Sequence, residues 1–409
     1  MSRKIILPVL LVVLVAGAVG WFAWKTEKTE AALPPWTDDM QVVADANNKF
    51  ALDLYGKLRD TEGNLFFSPY SVHTALSMTA VGARGTTREQ MLKVLHLPSD
   101  ENKLLAAGDL GRFYATPRRS YELSVANSLW GEAGDPWRPE FLDIQKQRFG
   151  AGFQEADFGG NPDGECERIN RWVEEKTHDR IKELLSPGKI ARDTRMVLAN
   201  AIFFKGKWTT EFDAAKTADA PFHLADGTRT KVRMMYGNMK CGLGHQRDGT
   251  SMVELPYRTG EISMVVIVPK LPDGLPALER QLTQETLTKW LGGLTDRADL
   301  EVSIPRFKIE MPSEVAKHLK TLGMTDAFSM TAADFSGMAP GFHQPTTDVV
   351  HKAFVEVNEE GTEAAAATAV VVGVLSSHPS GFYVDHPFLF LIRDVKRGTI
   401  LFMGRVEKP

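Results

Sequence analysis

Cysteine is scarce in this chain, which has 409 residues and contains only two cysteines, Cys166 and Cys241. They do not form a C-x-x-C pair, so the sequence predicts neither a zinc site nor a thioredoxin-type redox site. Their positions leave open whether they join in a disulfide. The glycosylation motif Asn-x-Ser/Thr is also absent, which argues against a eukaryotic secretory origin and favours a prokaryotic one.

The chain also lacks a strong excess of charge of one sign, because its net charge is −4. This balance gives no case for nucleic-acid binding or for attraction to anionic lipid. The strings G-x-S-x-G, H-E-x-x-H and G-x-x-x-x-G-K-[ST] are missing, and with them the signatures of several hydrolase, metalloprotease and nucleotide-binding families. The sequence therefore gives little indication of catalysis, and it predicts no metal and no cofactor.

A long hydrophobic run stands near the N-terminus. Residues 5–24 carry no charge and follow Arg3 and Lys4. A run of this length can span a bilayer, so it is either a signal peptide that is removed or a signal anchor that stays. Trp21 and Trp24 lie where interfacial aromatic residues would stand, which favours the anchor. In either case we expect the rest of the chain to be exported, to the periplasm or outside the cell.

The domain organisation follows from composition along the chain. Length alone suggests two domains, yet helix-like and strand-like segments alternate throughout, and no linker-like change of composition follows Pro35. We therefore expect residues 1–35 to form the signal segment with a short linker, and residues 36–409 to form a single domain. Membrane contact is expected only through residues 5–24, if they are not removed.

Residues 358–382 carry the clearest functional pattern. Alanine-rich residues 363–367 favour a helix, whereas residues 368–372 are largely β-branched and favour a strand. An ordinary surface loop, or a helix followed by a strand, would fit this composition. In an extended chain, however, alternate residues share one face, and here that face is uncharged: it consists of Thr362, Ala364, Ala366, Thr368, Val370 and Val372. The stretch therefore has the composition of a loop, but its uncharged face could be buried in a β-sheet if the chain became a strand.

Other motifs precede this stretch. A Ser-Pro pair at residues 68–69 follows a short apolar strand and opens a predicted helix, and Thr86 or Thr87 is expected to cap the next one. Residues 169–177 predict an amphipathic helix. Residues 196–204 form a nearly unbroken apolar run, typical of a strand covered on both faces. Further strand candidates are residues 123–130, 252–257, 262–269 and 300–309.

The string Asn-Glu-Glu-Gly-Thr-Glu-Ala-Ala-Ala-Ala-Thr at residues 358–368 closely resembles the hinge of the reactive-centre loop of inhibitory serpins. Asp-His-Pro-Phe-Leu-Phe at residues 385–390 and Leu-Phe-Met-Gly-Arg-Val at residues 401–406 resemble the C-terminal strands of that family. Together with the motifs above, the resemblance covers the chain from about residue 40 onwards. It implies an α+β serpin fold: a large, mainly antiparallel central sheet, two smaller sheets, about eight or nine helices and an exposed reactive-centre loop.

The resemblance also implies an activity, the inhibition of serine proteases by a suicide substrate that is used once. Family spacing, counted from the hinge, places the cleaved bond between Leu375 and Ser376. Leucine suits chymotrypsin-like or subtilisin-like proteases, and a shift of one residue to Val374 would suit elastase-like ones. The hinge residues that the resemblance implies are Glu359, Glu360, Gly361, Thr362, Glu363, Ala364, Ala365, Ala366, Ala367 and Thr368.

Two further regions are implied by the resemblance: a shutter, where strands separate, and a breach, where insertion begins. Their residues are Ser68, Pro69, Asn200, His351 and Trp208. Ser68 and His351 could also be imagined as a nucleophile and its base, but a structural hydrogen-bonding role is predicted for them. The expected partner is a target serine protease in a covalent complex with a monomer. A non-inhibitory serpin, an inhibitor of cysteine proteases and an exported hydrolase are the alternatives.

Overall fold

The structure is a computed structural model that describes residues 32–150, 152–295, 298–345, 349–362 and 381–409. Ala31–Pro409 forms one compact unit. Over the described ranges, we find no helix with the length and apolar character needed to cross a membrane. The candidate membrane span at residues 5–24 lies outside the described residues.

Several α-helices begin at a residue whose side chain caps them. Thr37 accepts a hydrogen bond from the backbone N–H of Met40, and Ser68 accepts one from that of Ser71. Thr86 and Thr87 do not cap the third helix as expected, because that helix already begins at Gly85 and encloses them. The helices are α1 (Asp38–Leu58), α2 (Pro69–Gly82), α3 (Gly85–Val94), α4 (Glu101–Ala115), α5 (Pro139–Ile144), α6 (Pro162–Lys176), α7 (Leu275–Gln281), α8 (Gln284–Gly292) and α9 (Val315–Leu322).

The β-strands divide between a six-stranded main sheet and a second sheet of nine strands. In chain order they are β1 (Leu65–Phe67), β2 (Tyr121–Glu132), β3 (Phe153–Ala156), β4 (Met196–Lys207), β5 (Ala218–His223), β6 (Arg229–His245), β7 (Ser251–Pro256), β8 (Ile262–Val268), β9 (Ala298–Pro305), β10 (Phe307–Glu314), β11 (Val349–Asn358), β12 (Gly361–Thr362), β13 (Phe382–Tyr383), β14 (Phe388–Asp394) and β15 (Ile400–Val406). The main sheet has the order β10-β11-β12-β4-β2-β3.

The main sheet separates two hydrophobic cores, and β4 contributes to both. Leu198 and Ile202 on this strand belong to the large core, whereas Ala199 and Phe203 belong to a smaller core that includes Ile169 of α6. The strand is therefore apolar at nearly every position because both of its faces are covered. This explains the unbroken hydrophobic run at residues 196–204 and agrees with its prediction as a buried strand.

The second sheet has two parts, which are joined through the long strand β6. One runs in the order β1-β15-β14-β8-β7-β6, and the other contains β5, β6, β9 and β13. The strand expected at residues 300–309 proves to be two strands in different sheets, because β9 pairs with β6 and β10 pairs with β11. Arg306 is the one residue between β9 and β10. The α+β fold expected from the resemblance is thus confirmed, with a large central sheet and helices around it.

Candidate functional site

The hinge lies at the top of the main sheet, where the chain leaves β11 and turns back on itself. Glu359 and Glu360 form the turn, and Gly361 and Thr362 form the short strand β12. This strand lies between β11 and β4, with Thr362 opposite Val357 on one side and opposite Gly206 on the other. The first two residues after the turn are therefore already paired within the sheet.

Close packing at this point requires glycine. A Cβ atom on Gly361 would stand 1.9 Å from the carbonyl oxygen of Gly206, and the φ angle of Gly361 is 155°. A Cβ atom on Gly206 would in turn stand 2.8 Å from Cδ1 of Tyr257. The two glycines thus let the hinge approach β4 while an aromatic ring packs against the same strand.

Trp208 and Tyr257 hold the hinge by its backbone and by one side chain. The backbone N–H of Trp208 donates to the carbonyl of Glu360 at 2.9 Å, and its indole Nε1–H donates to the carbonyl of Asn358 at 3.0 Å. The rings of Trp208 and Tyr257 are stacked, with centroids 4.6 Å apart. The hydroxyl of Tyr257 is hydrogen bonded to that of Thr362 at 2.6 Å.

Glu359 is a buried carboxylate at the turn. Arg306 donates to it through Nε at 2.8 Å and Nη2 at 2.6 Å, and the hydroxyl of Thr217 is also hydrogen bonded to it. Burial raises the pKa of Glu359, but the hydrogen bonds from Arg306 and Thr217 outweigh it and leave the pKa below its ordinary value. The backbone N–H of Phe212 donates to the carbonyl of Glu359 at 2.9 Å. The turn is therefore fixed by an ionised, paired side chain.

Below β12, β11 and β4 pair directly with each other in parallel. The pairs run from Val349 opposite Leu198 to Phe354 opposite Phe203. A strand could be accepted between β11 and β4 only if these pairs separated and their hydrogen bonds were re-formed with the incoming chain. The hinge therefore lies at one end of the directly paired strands β11 and β4.

A polar cluster crosses this line under α2. His351 on β11 stands opposite Asn200 on β4, and Asn127 on β2 stands opposite Asn200 on the other side. Nδ1 of His351 is hydrogen bonded to Oδ1 of Asn200, whose amide nitrogen donates to the hydroxyl of Ser71 at 2.6 Å. Ser68, Asn200 and His351 are all fully buried. The structure thus brings together three of the predicted shutter residues, and Pro69 follows Ser68 as the first residue of α2.

The geometry is that of a structural cluster and does not form a nucleophile–base pair. Nε2 of His351 accepts the backbone N–H of Ser68 at 3.1 Å. The hydroxyl of Ser68 instead donates to the carbonyl of Leu401 at 2.7 Å and accepts from the backbone N–H of Ser71. Since Nε2 is an acceptor, the ring proton is on Nδ1 and points at Asn200. Burial lowers the pKa of His351 to about 3, so the ring is neutral.

Part of the predicted site lies outside the described residues: Glu363, Ala364, Ala365, Ala366, Ala367, Thr368, Leu375 and Ser376. Four residues that contact the hinge were missed from sequence: Thr217, Tyr257, Arg306 and Lys207, whose Nζ donates to the carboxylate of Glu360 at 3.0 Å. Arg306 could have been noticed as a charged residue between two strand-like segments. Tyr257 lies at the end of a predicted strand, and nothing in the sequence indicates that it contacts Thr362. Cys166 and Cys241 are both buried and free.

A family model described as Serpin (serine protease inhibitor) matches residues 45–409. The chain belongs to the serpin family. It is 40% identical over 383 residues to leukocyte elastase inhibitor A of Mus musculus and 39% identical over 379 residues to leukocyte elastase inhibitor of Homo sapiens. Each alignment covers 90% of this chain and 100% of the relative.

The fold of this serpin also matches solved structures. Uncleaved ovalbumin superimposes with a TM-score of 0.81 at 30% identity, covering 90% of this chain and 100% of ovalbumin. The relatives named above are animal proteins, so they give no support to the prokaryotic origin expected from the missing glycosylation motif.

Proposed function

We propose that this serpin inhibits serine proteases as a suicide substrate that is used once. The observation that carries the proposal is the position of β12, whose Gly361 and Thr362 are already paired between β11 and β4. A chain that continues from Thr362 in extended conformation would enter between these two strands. The family membership of the chain supports the same activity.

The proposed reaction begins as ordinary proteolysis. The serine oxygen of the protease attacks the carbonyl carbon of Leu375, and the bond to the nitrogen of Ser376 breaks. The serine proton passes through the protease histidine to the departing amine, which leaves Leu375 esterified to the enzyme. Insertion of the residues between Thr362 and Leu375 then carries the attached protease away from the hinge before water can hydrolyse the ester. Inhibition therefore depends on insertion being faster than hydrolysis.

The energy for insertion comes from completing the sheet. The contacts between β11 and β4 are exchanged for two sets of strand hydrogen bonds, one on each side of the new strand. Each hydrogen bond contributes about 1 kcal/mol. The face shared with Thr362 consists of small or β-branched uncharged side chains down to Val372, so it enters the core without desolvating a charge. The starting fold is thus kinetically trapped, and cutting the loop releases it.

The target class follows from the residue before the cut. Leu375 fits the apolar specificity pocket of chymotrypsin-like or subtilisin-like proteases, and Val374 in its place would fit elastase-like ones. No arginine or lysine occurs between Thr362 and Pro379, which argues against trypsin-like targets. The mouse and human relatives are named as inhibitors of leukocyte elastase, which supports an elastase-like target.

We also propose that the protein is exported and acts as a monomer. The support for export is the uncharged run at residues 5–24 behind Arg3 and Lys4. If residues 5–24 are not removed, they would hold the inhibitor at a membrane surface, and residues 25–35 would serve as the linker. Fractionation of cells that express the full chain, with and without residues 1–35, would decide between a membrane-bound and a released protein.

The test of inhibition is a denaturing gel of residues 36–409 mixed with chymotrypsin, subtilisin or leukocyte elastase. We expect a band at the summed mass that survives detergent, together with a small fragment whose N-terminus is Ser376. A protease whose catalytic serine is replaced by alanine should give no such band, because no ester can form. Cleavage by every protease with no stable complex would overturn the proposal, and a different N-terminus would move the reactive bond.

A further inference from the structure

Tyr257 is fully buried directly beyond β7, and its side chain faces the hinge. Its hydroxyl is hydrogen bonded to Oγ1 of Thr362 at 2.6 Å, and Thr362 is itself buried. The ring lies flat on Trp208 and over the bare backbone of Gly206. Burial raises the pKa of Tyr257, so its hydroxyl is neutral and available as a donor or an acceptor.

This contact fixes which face of the loop would enter the core. Thr362 stands opposite Val357, a member of the large core, and its side chain points to the same side. In a strand, alternate residues share a face, so Ala364 and Ala366 would follow Thr362 into the core. A slip of one residue would turn the other face inward and bring the carboxylate of Glu363 with it. Correct register at Thr362 is therefore a condition for insertion.

We propose that Tyr257 is a positioning residue for the inhibitory reaction, an inference that rests on the proposed function. Its hydroxyl holds Thr362 in the register from which the cut loop inserts, so insertion starts from a seated first residue. Without this bond, the hinge loses one side-chain attachment, and a fraction of the molecules would begin insertion late or in the wrong register. In those molecules the ester would be hydrolysed before insertion was complete, and the protease would be released together with a cleaved inhibitor.

The test is Tyr257→Phe, which keeps the ring on Trp208 and removes only the hydroxyl. We expect the number of inhibitor molecules consumed per protease trapped to rise, with the excess above one increasing up to about fivefold, as for the loss of one neutral buried hydrogen bond. The rate at which the protease first attacks the loop should stay unchanged, because that step involves residues near Leu375. A general loss of folding would affect both the consumption of inhibitor and the rate of the first attack. A rise in consumption alone therefore indicates a specific role for the hydroxyl.

The matched control is Tyr70→Phe. Tyr70 is equally buried, and its hydroxyl donates to the carbonyl of Gly111 at 3.1 Å. This variant loses a buried hydroxyl hydrogen bond of the same kind between α2 and α4, away from the hinge, and should leave the consumption ratio at the wild-type value. Thr362→Val removes the other partner, so Tyr257→Phe combined with Thr362→Val should be no worse than the more affected single variant.

An unchanged consumption ratio in Tyr257→Phe, or an equal rise in Tyr70→Phe, would overturn the inference. Amide hydrogen exchange of the uncut proteins gives a second readout, since Tyr257→Phe should speed exchange in a peptide that contains residues 359–362. If the wild type traps no protease, the proposed function fails. If the wild type traps protease and both readouts match between wild type and Tyr257→Phe, only the role of Tyr257 fails.

Discussion

His351 is a buried histidine whose two ring nitrogens have different tasks. Nδ1 donates to Asn200 across the line between β11 and β4, and Nε2 accepts from the backbone of Ser68. A second proton, on Nε2, would remove the acceptor and place an uncompensated charge in the core. The neutral ring therefore joins α2 to two strands of the main sheet, and its protonation would weaken that junction.

Stability should consequently fall in acid. Burial lowers the pKa of His351 to about 3 and is the largest influence lowering that of His73 to about 4, whereas an unfolded histidine titrates near 6.5. Between those values the unfolded chain binds more protons than the folded one, so the free energy of unfolding decreases as pH falls below about 6.5, by at most about 1.4 kcal/mol per pH unit for each histidine. Above pH 6.5 this contribution is complete.

The measurement is the thermal midpoint of residues 36–409 at pH 7.5, 6 and 5. His351→Gln should lower the midpoint at pH 7.5 but show a shallower decline with acid. His245→Gln is the matched control, because His245 is exposed on β6. A decline with pH as steep in His351→Gln as in the wild type would assign the acid sensitivity to other groups.

At the scale of elements, β12 decides how the loop meets the sheet. Its two residues are held between β11 and β4 with Thr362 in the core. Thr362→Arg would place a charged side chain where a buried hydroxyl now stands. We expect the strand to be expelled and insertion to slow, because burying the unpaired charge costs several kcal/mol. The variant should therefore be cut like a substrate.

Mixing Thr362→Arg with the target protease measures this directly, as the ratio of cleaved inhibitor to covalent complex. We expect cleavage to dominate, with the initial rate of attack unchanged. Thr288→Arg makes the same substitution at an exposed position of α8 and should inhibit normally. Equal amounts of covalent complex from both variants would contradict a role for the buried face of β12.

Some of the helices and strands could be predicted from the sequence, and others could not. The hydrophobic run of β4 and the Ser-Pro start of α2 were predictable because burial on both faces and helix capping leave local patterns. The break at Arg306 was not, because β9 and β10 are both strands and only their partners differ. The bond between Tyr257 and Thr362 was equally hidden, since it joins residues 105 positions apart. Local pattern predicts elements, whereas the choice of partner is decided by the whole core.

For the whole molecule, the line along which β11 and β4 pair directly is the place where the cut loop would enter the main sheet. Cutting the loop near Leu375 should let it insert there. We expect the thermal midpoint of the cleaved protein to rise by about 10 °C or more, since an added strand brings on the order of ten hydrogen bonds. Differential scanning calorimetry before and after limited proteolysis gives the value.

Thr362→Arg cut at the same bond is the control for this measurement, because it shares the cleavage and differs only in its ability to insert. Its midpoint should stay near that of its uncut form. If the cleaved wild type shows no rise, the loop does not enter the sheet, and the protein would be a serpin of the non-inhibitory kind.

The direct pairs between β11 and β4 also imply that insertion is a stepwise exchange of partners. Starting below β12, the incoming chain would displace Phe354 from Phe203, then Ala353 from Ile202, and then Lys352 from Ala201. The fourth rung is His351 with Asn200, where a buried polar pair must separate and both members must find new partners. We therefore expect the exchange to be slowest at this fourth rung. The length of chain inserted before this rung decides how far an attached protease has moved when the slowest step of insertion begins.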